Sequence, residues 1–226
     1  MGRTLLALLL FTAGTAFGDE IVTNSVHMAS APAWVKRTRV DKIIDHIQML
    51  LEWDIRRIEV YWYKDAAAFE KAHTLGPAAM AVSRQSDNTI HLGPRVDSSN
   101  FDAVFGHELV HIISYQKYKG AIPAWLEEGL ANHLAKQGKV DYKWLARKPF
   151  PADVRKLVHP FDAATYDEIR YHYVMSQALV EMIASKCDLA NLLRLSVGRN
   201  MDDYLDTYCE IKDLNEAYRK WVKKHG

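Results

Sequence analysis

Between residues 34 and 51 the apolar positions Val40, Ile43, Ile44, Ile47, Leu50 and Leu51 recur every three or four residues, the period of an amphipathic helix. Ile58, Val60 and Trp62 then alternate with Arg57, Glu59 and Tyr61, which predicts a strand. Residues 66–72 have the composition of a short helix, and Gly76-Pro77 breaks it. Two further short strands are expected at 79–83 and 89–92. Asp87-Asn88 supplies turn residues between them, so the pair reads as a hairpin. From Asn100 onward the pattern turns helical, with helices expected near 101–118, 123–137, 153–157, 170–186, 189–197, 201–208 and 213–224. Residues 19–33 show no period and contain Pro32, and read as a lead-in strand or an ordered tail. The expected fold class is α+β in a single domain over 19–226. Its sheet-containing part would cover about 34–118, and a mainly helical lobe about 119–226.

The first eighteen residues do not fit this pattern. Arg3 is followed by an apolar stretch without charge, and Ala16-Phe17-Gly18 places small residues where a signal peptidase reads, just before Asp19-Glu20. Residues 1–18 therefore read as a signal peptide, and the apolar run is too short for a membrane span. An exported chain, periplasmic or extracellular, is the expectation, with no stable membrane insertion after cleavage. An uncleaved N-terminal anchor is the alternative.

Losing Arg3 with the leader leaves 28 basic and 28 acidic residues. A chain without net charge has no electrostatic pull towards nucleic acid or anionic lipid. Its two cysteines, Cys187 and Cys209, are expected to pair in an oxidising compartment. Both stand far along the chain from the candidate chemistry, which argues against a thiol mechanism.

That chemistry begins at His107-Glu108-Leu109-Val110-His111. Four residues advance a helix by about 400°, so the two imidazoles stack on one face, as two ligands of one tetrahedral zinc would. Glu108 lies one position on, able to reach water at the metal without ligating it. Phe101, Phe105, Leu109 and Ile112 form a separate apolar stripe for the core. Two histidines need a third protein ligand if one position is to stay open for water. Sixteen residues after His111 a carboxylate pair, Glu127-Glu128, opens a second expected helix begun by Pro123. An antiparallel return of that length brings either carboxylate beside His111.

His-Glu-x-x-His followed by Trp125-Leu126-Glu127-Glu128-Gly129-Leu130-Ala131 resembles the gluzincin zinc metallopeptidases of the thermolysin and aminopeptidase-like clan, and most of all their compact peptidase-MA-like domains. The resemblance implies a zincin-like fold and assigns His107, His111 and Glu128 as ligands of one zinc ion. Glu108 becomes the catalytic base towards a peptide or protein substrate. It also implies supporting roles for Glu127 and Asn132, the latter orienting a ligand histidine where an Asp is usual. Residues 79–92 resemble the edge strand on which such enzymes lay extended substrates. No exopeptidase carboxylate precedes the zinc helix, which points to internal cleavage. For the oxyanion donor the resemblance favours Tyr173, three residues before Ser176, with Tyr171 and His172 as alternatives and Tyr166 nearby. His91, His133, His159 and His172 otherwise read as ordinary histidines, and Arg219, Lys220, Lys223 and Lys224 as the solvated face of the last helix. Other classes stand beside the peptidase: a zinc-loaded but non-catalytic peptide-binding protein, an envelope assembly factor, or a helical lobe in which the motif is accidental.

Overall fold

The computed structural model describes residues 20–136, 138–157 and 165–226. The expected signal peptide and His159 lie outside them. Two very short strands open the fold, β1 (Ile21–Val22) and β2 (Val26–Met28), followed by helix α1 (Arg37–Leu51) and strand β3 (Ile58–Trp62). Helix α2 (Ala66–Lys71) leads into the hairpin β4 (Ala81–Arg84) and β5 (Thr89–Leu92). The remaining helices are α3 (Phe101–Tyr118), α4 (Ala124–Leu134), the single turn α5 (Tyr142–Leu145), α6 (Tyr166–Ala184), α7 (Leu189–Ser196), α8 (Met201–Thr207) and α9 (Leu214–His225). The α+β class expected from the pattern is the one observed.

The five strands form one mixed sheet in the order β1-β2-β3-β5-β4. β2 and β3 run parallel across the α1 crossover, β3 and β5 are parallel, and β4 returns antiparallel to β5 with Ala81 opposite Leu92. The sheet reaches further back than the expected start near residue 34. β1 and β2 are two and three residues long, too short to show alternation, and they are recruited by pairing onto β3.

Helix α3 runs through the centre. Thirteen of its eighteen residues are buried, including both faces, so it is an interior helix and not an amphipathic surface one. The sheet and α1 cover one side and α4 the other. At its start Phe101 meets Phe105, Trp34 and Trp62 in one aromatic cluster, with ring centroids 5.1–5.8 Å apart. Helix α4 ends at Leu134, short of the expected 137, and the chain turns at Lys136 and Gly138 with positive φ. Helix α6 starts at Tyr166, four residues before the expected 170, because Thr165 and Glu168 form a capping box. Residues 154–156, within an expected helix, make a 3₁₀ turn. Cys187, after α6, is bonded to Cys209, after α8, with their Cα atoms 4.9 Å apart. Among the described residues no helix is long and apolar enough to cross a membrane.

Candidate metal centre

His107 and His111 stand one turn apart on the buried α3, with ring centroids 4.8 Å apart and their Nε2 atoms separated by 3.1 Å. Glu128 reaches them from α4, its two carboxylate oxygens 3.4 Å from Nε2 of His107 and 3.5 Å from Nε2 of His111. Donors about 2.0–2.1 Å from one tetrahedral ion must lie about 3.3 Å from each other. The 3.1 Å between the two Nε2 atoms is close to that edge, and Glu128 reaches each ring through a different oxygen, so the three residues gather around one point. His107, His111 and Glu128 form a group that could hold a metal ion.

The surroundings favour positive charge at this point. Burial alone would depress the His111 imidazole, but Glu128, Glu127 and Glu108 outweigh it and lift it to about 9. Glu127 is held below the usual carboxylate range: burial pushes it up, and the hydrogen bonds from His111 and Gln85 overcome that. Glu108 is buried among these groups, 8% exposed, and its charge acts on His111 and Tyr173.

The far nitrogens of the two histidines differ. His111 Nδ1 lies 3.1 Å from Oε1 of Glu127, which also accepts from the Gln85 side-chain amide at 2.6 Å. With Nδ1 donating to Glu127, Nε2 is the nitrogen that would give up its proton to a cation held between Glu128 and His107. Among the described residues His107 Nδ1 is buried without a hydrogen-bond partner. Asn132, expected to orient a ligand histidine, is buried, and its amide donates to the Tyr173 carbonyl at 3.5 Å. It stands one turn after Glu128 on α4.

Helix α6 is pressed onto α4 because Gly129 has no side chain. A Cβ there would sit 2.1 Å from the Ser176 carbonyl oxygen, a contact only glycine permits. This close approach puts the Tyr173 ring 6.2 Å from that of His107. Burial, reinforced by Glu128 and Glu108, pushes the Tyr173 phenol well up, so it keeps its proton as a donor. Tyr171 is turned away and donates to the Pro149 carbonyl at 2.7 Å. Tyr166 is 79% exposed, and His172 is buried with its ring 5.7 Å from that of Tyr173. His91 is occupied elsewhere by Tyr63 and Thr89 and stacks on Tyr61. Burial pushes His133 down, and it takes no part in the ligand group.

Two contributors had no separate role in the sequence pattern, Gln85 and Gly129. Gly129 stood inside the Glu-Gly-Leu-Ala run. Gln85 lies 42 residues from its partner Glu127, and no local signal could have singled it out.

No protein-family model matches the chain, and no characterised protein matches it in sequence.

Proposed function

We propose that the chain is an exported zinc-dependent peptidase of the gluzincin type that cleaves peptide bonds internally. The observation that carries this is the convergence of His107, His111 and Glu128 on one point, with the non-ligating Glu108 buried beside them. Bound zinc would acidify a water and polarise a scissile carbonyl at this point. Glu108 takes the proton of the attacking water and returns it to the departing amine. Tyr173 donates to the carbonyl oxygen as negative charge builds on it. Strand β4 is the outer strand of the sheet beside α3, and its open edge suits an extended peptide backbone added by strand pairing. The Cys187–Cys209 bond is in keeping with an oxidising compartment.

A peptide-binding protein that only holds zinc would have no use for Glu108 at this position. Glu108→Gln is therefore expected to keep zinc content and melting temperature while hydrolysis of a mixed peptide pool falls by roughly 10²–10⁴-fold. A fully zinc-loaded wild type that is inert towards broad peptide libraries would hand the site to the binding-protein reading.

A further inference from the structure

The turn between β4 and β5 does more than reverse the chain. Its first residue, Gln85, is half-buried and reaches across to α4, where its amide donates to the same Glu127 oxygen that faces His111 Nδ1. Its last residue, Asn88, sits in the left-handed region at φ 54° and accepts from Gln116 Nε2 at 2.7 Å, five residues beyond His111 on α3. Gln116 in turn exchanges bonds with the backbone of Arg56, at the approach to β3. The hairpin tip is thus pinned at two points, to α4 through Glu127 and to α3 through Gln116. One of them ends on a metal ligand through a single intervening carboxylate.

We infer that Gln85 is a positioning residue for the metal centre: through Glu127 it fixes the orientation of His111 and ties the open β4 edge to the ion. This rests on the metal-site reading above. A carboxylate that holds a histidine by one oxygen is free to swing about its own side chain unless a second donor restrains it. Here both donors meet on Oε1, so Gln85 selects the rotamer in which Glu127 serves His111. Partners of this kind orient ligands and affect metal affinity without touching the metal. The coupling must be reciprocal. If the hairpin steadies the metal site, metal must steady the hairpin to the same degree, and a chain segment laid along β4 acts on the same linkage.

Gln85→Met keeps length and removes the donor, and Gln85→Lys restores a donor at similar reach. The purified full-length mature chain is loaded with zinc, and separately with cobalt(II) as a spectroscopic probe. Zinc loss to a chelator, the cobalt absorption spectrum and backbone amide exchange in residues 81–92 are then followed. In Gln85→Met, zinc should dissociate about tenfold faster, the cobalt bands should shift, and the metal-free melting temperature should stay put. Zinc should slow amide exchange in the hairpin of the wild type and fail to do so in Gln85→Met. Gln85→Lys should recover most of the zinc retention. Unchanged zinc loss and an unchanged cobalt spectrum in Gln85→Met, with wild type binding zinc normally, overturn this role and leave the metal site standing. A wild type that binds neither metal overturns the site itself.

Discussion

His107 and His111 share one helix face, yet the two ends of the site are built on different principles. At the His111 end the support is polar: Glu127 on α4 receives His111 Nδ1 and Gln85 together, and the hairpin tip closes over them. At the His107 end the support is steric: Nδ1 has no partner among the described residues, and what lies alongside is the Tyr173 ring carried by α6 on its close seat at Gly129. A hydrogen-bonded ligand has its tautomer and ring plane set by chemistry. A ligand held by packing depends on a helix being in the right place. Under the proposed function, the first arrangement should govern how tightly metal is held, and the second how well peptide hydrolysis runs.

Removing a ligand should erase this distinction. His107→Ala and Glu128→Ala are both expected to fall from one zinc per chain to essentially none, measured by elemental analysis after gel filtration. Glu127→Ala should retain most of its zinc under the same conditions and lose it about ten- to a hundredfold more readily to a competing chelator. If Glu127→Ala strips the metal while Glu128→Ala keeps it, the ligand is the other carboxylate of the pair.

The polar end also shows how far sequence reasoning reaches. His107, His111 and the Glu127-Glu128 pair were legible because helical spacing alone puts two imidazoles on one face and a short connection returns the next helix beside them. The assignment of Glu128 came from the resemblance, and the geometry brings that residue to the two Nε2 atoms. Helices α1 and α3 and the β4–β5 hairpin were legible from period and turn chemistry. Strands β1 and β2 were not, since two or three residues carry no period and form only when β3 is there to pair with. The start of α6 was written in Thr165-x-x-Glu168, but apolar periodicity begins later and outweighed the cap. Gln85 depends on a contact that exists only once sheet and helical lobe are packed together.

The steric end is tested first by its reactive group. Tyr173→Phe should retain zinc and melting temperature while turnover falls by about a hundredfold, the usual loss of one donor to a developing oxyanion. The hydroxyl is the only change, so the ring still fills its place beside His107. Near wild-type turnover would leave His172 as the next candidate on α6, since Tyr171 is already committed to the Pro149 carbonyl.

Two glycines flank the ligands and separate packing from chemistry more gently. Gly106 precedes His107, and a Cβ there would meet the Ala135 Cβ at 3.4 Å, a contact ordinary packing absorbs. Gly129 follows Glu128, and a Cβ there would lie 2.1 Å from the Ser176 carbonyl oxygen and 2.7 Å from a Val180 methyl. Backbone cannot rotate out of the way as a side chain can, so α6 has to move off α4. Overpacking of this sort typically costs about 1–3 kcal/mol. At about 2–4 °C per kcal/mol for a chain of this size, Gly129→Ala should melt several degrees lower, whereas Gly106→Ala stays close to wild type. Zinc retention should be nearly unchanged in both, because α3, α4 and the Glu127–Gln85 contact remain. Turnover should fall in Gly129→Ala alone, by less than in Tyr173→Phe, since the displaced helix carries an intact Tyr173 slightly out of reach. If Gly129→Ala instead releases zinc as readily as Glu127→Ala while keeping its turnover per bound zinc, the division between a polar, metal-holding end and a steric, reaction-serving end does not exist.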